Sequence, residues 1–236
     1  RAVGDERVGY AHRQEPALRT GADVAAAIRG INVRTVMLFV DRPLQDLIGG
    51  PGIKSIADLN GKVVALSSRG GLQDMIMRRM LAKSKIDPNQ ITMVTIAGQM
   101  ALITAVKAGR VAAALLNPPY NFLAYREGLN NLGFSGDFVR LPSTGIATLG
   151  EHLERNPDQV RRLTRAIARA RVFARDNKAK IMPTIKRTLR IDDEELLSKI
   201  YEQHKQVETA DGRVDATLIG DTIRDARQTD GITKEI

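Results

Sequence analysis

Residues 62–120 read KVVALSSRGGLQDMIMRRMLAKSKIDPNQITMVTIAGQMALITAVKAGRVAAALLNPPY. Three short apolar runs punctuate this stretch: KVVAL at 62–66, ITMVTI at 91–96 and VAAALL at 111–116. Each is the length of a strand and too short for a buried helix. Between them the apolar residues change period. Leu72, Met75, Ile76, Met80 and Leu81 fall at helical spacing over 72–84, and a second helix is predicted over about 99–108. Pro88 in KIDPNQ bars continuation of the first helix, and Gly109 closes the second as a left-handed cap. A further helix-like stretch runs from NPPY to about Gly128. The order is β-α-β-α-β-α, and continuously apolar strands alternating with amphipathic helices imply a parallel sheet covered on both faces, with right-handed crossovers. The loops SSRGG (67–71), AGQM (97–100) and NPPY (117–120) each follow a strand. All three are therefore expected at the carboxyl edge of the sheet, where open α/β sheets bind ligands.

Outward from this unit the pattern is less regular. GADVAAAIRG (21–30) reads as a helix with a Gly stop, and 34–40 as a strong strand ending at DRP. VRLPSTGIATLG (139–150) reads as a strand-turn-strand or a crossing. Asn156-Pro157-Asp158 is a helix start, with Asn as N-cap and Pro at the first helical position. Val160, Leu163, Ile167, Ala170 and Ala174 are expected to be the buried stripe of that helix. Further helices are predicted over 193–206 and 214–227. The Gly- and Pro-rich segments at 49–61 and 133–142 mark boundaries, giving one discontinuous lobe of residues 1–55 and 138–236 and a second lobe of residues 56–137.

Composition narrows the function. The chain has 236 residues, 43% hydrophobic and 27% charged, which suits one large domain or two small lobes. Trp is absent and aromatics make up 4%, so stacking platforms for single-stranded nucleic acid are sparse. The net charge is +9, but the densest basic group, Arg161, Arg162, Arg165, Arg169, Arg171 and Arg175, lies on one amphipathic helix and reads as a solvated face rather than a nucleic-acid helix. Without Cys there is no disulfide, thiolate metal site or cysteine nucleophile. His12, His152 and His204 are far apart and in no metal-ligand spacing, and no cofactor is expected. The chain opens at Arg1 with no apolar signal segment, which reads as a processed or trimmed start.

Several segments together resemble one family. PGIKSIADLNGKVVALSSRGG (51–71), KSKIDPNQITMV (83–94), ALITAVKAGRVAAALLNPPY (101–120), LERNPDQVRRLTRAIARARVFARDNKA (153–179) and DGRVD (211–215) are similar, in order and spacing, to ABC-transporter substrate-binding proteins. The class is the one that handles nitrate, sulfonates, taurine, bicarbonate and thiamine-pyrimidine precursors. The resemblance implies an α/β protein with the type II periplasmic-binding-protein fold: two lobes, a hinge and a cleft that closes on a small solute. It implies a periplasmic or exported, membrane-tethered monomer that hands its solute to an ABC permease, without catalysis and without nucleic acid. Family members begin with a strand, loop and helix ahead of the segment resembled by VGDERVGY (3–10), so the first lobe is expected to lack that opening strand and helix. Where the family carries an acidic residue before Pro at the cleft floor this chain has Asn117, which shifts the expected solute toward anions.

By position, the resemblance makes Ser67, Ser68, Arg69, Gly70 and Gly71 the solute loop of the second lobe. It also places Gln99 at the start of the facing helix and Asn117, Pro119 and Tyr120 at the cleft floor. The chemistry agrees, because a loop that ends at a helix N-terminus offers unpaired N–H groups and a favourable dipole to an anion. Ser67 and Ser68 add hydroxyls, Gly70 and Gly71 permit close approach, and Arg69 either pairs with the anion or lies in water. Gln99 is a helix cap or a solute contact. Asn117 orients a polar group, Tyr120 is a ring wall or lobe packing, and Thr144 and Thr148 face the cleft from the other lobe. No Gly-Lys-Ser/Thr and no G-x-G-x-x-G is present, which excludes the common nucleotide loops. Asp192-Asp193-Glu194-Glu195 reads as an acidic helix start rather than paired catalytic carboxylates. The alternatives are an enzyme on the same fold, similar to the thiamine-pyrimidine synthase that depends on Cys and His, and the effector-binding domain of a transcription regulator.

Overall fold

The computed structural model describes Ala27 and residues 30–67 and 72–230. The helix expected over 21–30 falls outside these residues apart from its end at Ala27 and Gly30. Seven strands are described: β1 Val33–Val40, β2 Asp46–Gly49, β3 Val63–Leu66, β4 Thr92–Thr95, β5 Ala113–Leu116, β6 Asn130–Phe134 and β7 Thr144–Leu149. Five of them form a mixed sheet in the order β4-β3-β5-β2-β6. The three apolar runs of the sequence are its parallel part, β3 pairing in parallel with β4 on one side and β5 on the other.

Both faces of this sheet are buried, and that is why its strands read as unbroken apolar runs. Successive side chains of a strand point to opposite faces. Val64, Leu66, Leu115 and Leu47 face helix α1 (Leu72–Lys83), packing with Ile76, Met77, Met80 and Leu81. Their chain neighbours Ala65, Ala114, Leu116 and Ile48 face α2 (Gln99–Lys107) and α3 (Tyr120–Arg126), packing with Leu102, Val106 and Ala124.

The sheet takes in more chain than the sequence pattern indicates. β2, which ends where the boundary segment 49–61 begins and is assigned by sequence with residues 1–55, runs antiparallel to both β5 and β6 in the middle of the sheet. Leu47 and Ile48 are completely buried. Gly49-Gly50 looks like a linker but answers a packing demand: a Cβ on Gly50 would sit 2.8 Å from the carbonyl oxygen of Val106. β6, with the sequence NNLGF, has no alternating pattern to betray it.

The second sheet pairs β1 with β7 antiparallel, from Val33 opposite Leu149 to Val40 opposite Thr144. The chain passes between the sheets twice, and the two crossings lie side by side. The Leu141 N–H donates to the Asp41 carbonyl at 2.8 Å, the Ser143 N–H to the Val40 carbonyl at 2.9 Å, and the Gln45 N–H to the Ser135 hydroxyl at 3.1 Å. A short helix, α4 (Ser135–Phe138), begins the second crossing.

The remainder is helical: α5 Gly150–Arg155, α6 Pro157–Asp176, α7 Lys178–Leu189, α8 Glu194–Val207 and α9 Ala216–Asp230. The stripe expected on α6 is only partly realised. Val160 is buried, but Leu163, Ile167 and Ala174 are half-buried and Ala170 is exposed. The cause is that α6 is an outer helix, packed mainly against its neighbours α5 and α7 and reaching β1 through Arg171, whose guanidinium donates to the Phe39 carbonyl at 3.1 Å. α7 follows with Pro183 inside it. α8 is capped by Asp193, whose carboxylate accepts the Leu196 N–H at 2.8 Å.

Candidate functional site

The carboxyl ends of β3, β4 and β5 lie together, because the three strands are parallel neighbours with β3 in the centre. The loops that leave them are tied to one another. The Ile96 N–H donates to the Leu66 carbonyl at 2.9 Å, continuing the β3–β4 ladder past the strand end. Gly98, with φ of 91°, turns the chain into α2 in a conformation that an L side chain resists. The first residue of that helix, Gln99, accepts the Asn117 N–H at 2.9 Å and so joins the loop after β4 to the loop after β5. The Asn117 carbonyl in turn accepts the N–H groups of Tyr120 at 2.8 Å and Asn121 at 3.2 Å, closing the turn into α3 across a cis Pro118-Pro119 bond. Just after β3, Ser67 donates both its N–H and its hydroxyl to the Gln73 Oε1, each at 2.8 Å. The hydroxyl proton is therefore committed inside the protein, and the Ser67 oxygen remains as an acceptor.

The structure thus brings Ser67, Gln99, Asn117, Pro119 and Tyr120 to one edge. Tyr120 packs on the apolar cluster of α2 and α3, and the Gln99 side-chain carbonyl binds the loop beside it. Ser68, Arg69, Gly70 and Gly71 lie outside the described residues. Thr144 and Thr148 sit on β7 of the other sheet, Thr144 half-buried opposite Val40 and Thr148 buried opposite Arg34.

Sequence reasoning missed a deeply buried carboxylate at this edge. Asp46 is 2% exposed and stands in register with Leu116, one residue from Asn117. Its carboxylate accepts from Asn121 Nδ2 at 2.6 Å, from the Tyr125 hydroxyl at 2.5 Å and from Gln203 Nε2 at 3.1 Å. Asn121 and Tyr125 are one helical turn apart on α3, so they present donors to the same point. Burial, the hydrogen bond to Asp46 and the adjacent negative charge hold the Tyr125 phenol well above its ordinary pKa, fixing it as a donor. Gln203 belongs to α8, which an Arg126–Asp193 ion pair of 2.6 Å holds against α3 at its other end. The spacing of Asn121 and Tyr125 on one helix face, with a lone Asp in the apolar run DLIG, is the signal that could have found this network. Two acceptors, Gln45 Oε1 and Asn121 Oδ1, are buried nearby without a partner among the described residues.

A cavity of about 510 Å³ lies elsewhere, lined by Arg79 of α1, Arg140 and residues between 215 and 224 around the start of α9. It includes no strand-end loop. Its charges are largely matched internally, Arg140 to Asp41 at 2.8 Å and to Asp215 at 3.1 Å, and Arg224 to Asp221 at 3.0 Å. The strand-end edge is the better candidate, since its polar groups converge on one place without cancelling there.

Comparison with known proteins places this geometry in context. The sequence matches the NMT1/THI5-like family over residues 17–180. No curated protein sequence matches it. Among solved structures, the periplasmic aliphatic sulphonate binding protein SsuA from Escherichia coli is similar with a TM-score of 0.78 at 17% identity, over 92% of this chain and 75% of that one. The alkanesulfonate-binding protein SsuA from Xanthomonas axonopodis pv. citri, bound to MOPS, is similar with a TM-score of 0.72 at 16% identity, over 92% and 75%. A Candida albicans gene product described as having the generic periplasmic binding protein fold is similar at 0.67 and 15% identity, over 94% and 74%. At these identities the shared property is the fold, and the chain has the periplasmic-binding-protein fold.

Proposed function

The chain belongs to the NMT1/THI5-like family, and from that premise we propose that it is the solute-binding component of an ABC importer. Its solute is small and anionic, a sulfonate, taurine, nitrate or a related molecule, held at the carboxyl edge of β3, β4 and β5. The observation that carries the reading is the meeting of three parallel strand ends, with Gln99 tied to Asn117 at 2.9 Å and Ser67 to Gln73 at 2.8 Å. Two of the loops lead into helix N-termini of α2 and α1, whose unpaired N–H groups favour a negative charge. The solute-loop residues Ser67 to Gly71, with Gln99, Asn117, Pro119 and Tyr120, form one wall in this reading, and Thr144 the other.

Two lobes close on the solute by bending where the paired crossings run, residues 41–45 and 135–143, a hinge motion of the kind common to clefts between α/β units. The lobe boundary then falls at the first crossing rather than at residues 55 and 56, because β2 is part of the larger sheet. The exported monomer passes its solute to a membrane permease. The role in this reading is binding rather than catalysis, which the similarity to sulfonate-binding proteins supports.

A panel of alkanesulfonates, taurine, nitrate and carboxylates tests this by thermal unfolding. A ligand at about 100 times its Kd stabilises by about 2.7 kcal/mol, which raises Tm by roughly 5–10 °C in a chain of this size. A panel with no effect on Tm contradicts the reading.

A further inference from the structure

The longest helix, α6, carries an outward face that its role in packing does not explain. Arg162, Arg165 and Arg169 are exposed and follow one another at three- and four-residue spacing, so they line one side of the helix. None of the three has a hydrogen-bonded or ion-paired partner among the described residues. Their neighbours do: Arg161 pairs with Asp158 at 2.7 Å and Arg175 with Asp176 at 3.0 Å. The same face continues one turn on into Val172, 47% exposed, and Phe173, 48% exposed. Phe173 is the one exposed aromatic among the described residues, and the Lys180 ammonium lies 5.9 Å from its ring.

A solvated face needs charge but has no use for an exposed Phe beside an exposed Val. Uncompensated cations next to a small apolar patch, on a helix lying along the surface, match the interface of a bilayer with anionic headgroups. We propose that this face of α6 docks on an anionic lipid surface, Arg162, Arg165 and Arg169 meeting lipid phosphates while Val172 and Phe173 enter the headgroup boundary. The net charge of +9 favours the same approach. The inference is independent of which solute is bound, and it fails or stands separately from the transport reading.

The test is co-sedimentation of the full chain with vesicles of phosphatidylcholine alone and of phosphatidylcholine mixed with phosphatidylglycerol, at about 0.1 M and 1 M salt, where the screening length falls from roughly 10 to 3 Å. The expected result is binding to the anionic vesicles only, lost at high salt. With roughly a fivefold effect for each basic residue near the surface, the triple variant Arg162→Gln, Arg165→Gln, Arg169→Gln should lower partitioning on the order of a hundredfold. Phe173→Ser should lower it several-fold. A charge-matched control, Lys54→Gln, Lys83→Gln, Arg110→Gln, on the other unit of the molecule should bind as the parent does, and unchanged thermal unfolding confirms that each variant is folded. The proposal is overturned if the parent ignores anionic vesicles at low salt, or if the α6 triple variant binds as well as the control. It is also overturned if retention occurs only on neutral vesicles that carry an acidic membrane protein, since the face would then read a protein rather than lipid.

Discussion

Asp46 organises the polar network beside the strand-end edge. It is a buried carboxylate without a cation partner among the described residues, stabilised by the amides of Asn121 and Gln203 and the phenol of Tyr125. Removing it strands those three donors in a dry site, and each unsatisfied group costs about 1–3 kcal/mol. Asp46→Ala is therefore expected to destabilise by about 3–5 kcal/mol, and Tyr125→Phe by only about 1 kcal/mol, in urea denaturation. Equal effects of the two would contradict a network centred on Asp46. Nothing local in the sequence reveals it, because its partners lie 75, 79 and 157 residues away. Gln99 and Asn117 were legible for the opposite reason: each sits directly after a strand or at the start of the helix that follows it, where position alone places it at the edge.

At the scale of elements, the readable parts are those whose burial is two-sided and regular. β3, β4 and β5 announce themselves by continuous apolar residues, and α1 and α2 by helical spacing. β2 hides behind Gly49 and Gly50, which combine close packing with the turn that the Ile53 N–H closes on the Gly50 carbonyl, and α6 buries less of its stripe than expected because it lies in an outer layer. α8 shows how an element is positioned by its ends. Its N-cap Asp193 accepts the Leu196 N–H and pairs with Arg126, and these two interactions hold its carboxyl below the usual carboxylate range. A depressed folded pKa means that the unfolded chain takes up the proton first. The stabilisation is present at neutral pH and lost as pH falls through the folded value, below the ordinary Asp pKa of about 3.9. Asp193→Ala should accordingly lower Tm at pH 7, and its deficit relative to the parent should shrink as pH is brought down past 4. A deficit independent of pH would mean that the cap acts through packing and not through its charge.

The whole molecule is two sheets joined by a pair of crossings that run side by side, with α8 spanning between them. At one end α8 meets α3 through Asp193 and Arg126, and in its middle Gln203 meets Asp46. Just beyond its other end the Thr209 N–H donates to the Phe39 carbonyl of β1 at 2.8 Å. The order of motifs along the chain was enough to anticipate this fold, since each motif marks a strand end or a helix start, but the place of β2 within the larger sheet had to be read from strand pairing. The central claim is that the edge of β3, β4 and β5 holds a small anion. Calorimetric titration of the full chain with a short alkanesulfonate, beside the Gln99→Leu variant, tests it most directly. One-to-one binding by the parent, weakened roughly tenfold or more in Gln99→Leu for the loss of one hydrogen bond to a charged group at about 1.5–3 kcal/mol, is the predicted result. Binding that Gln99→Leu leaves untouched, or no heat from the parent with any sulfonate, taurine or nitrate, would contradict the account.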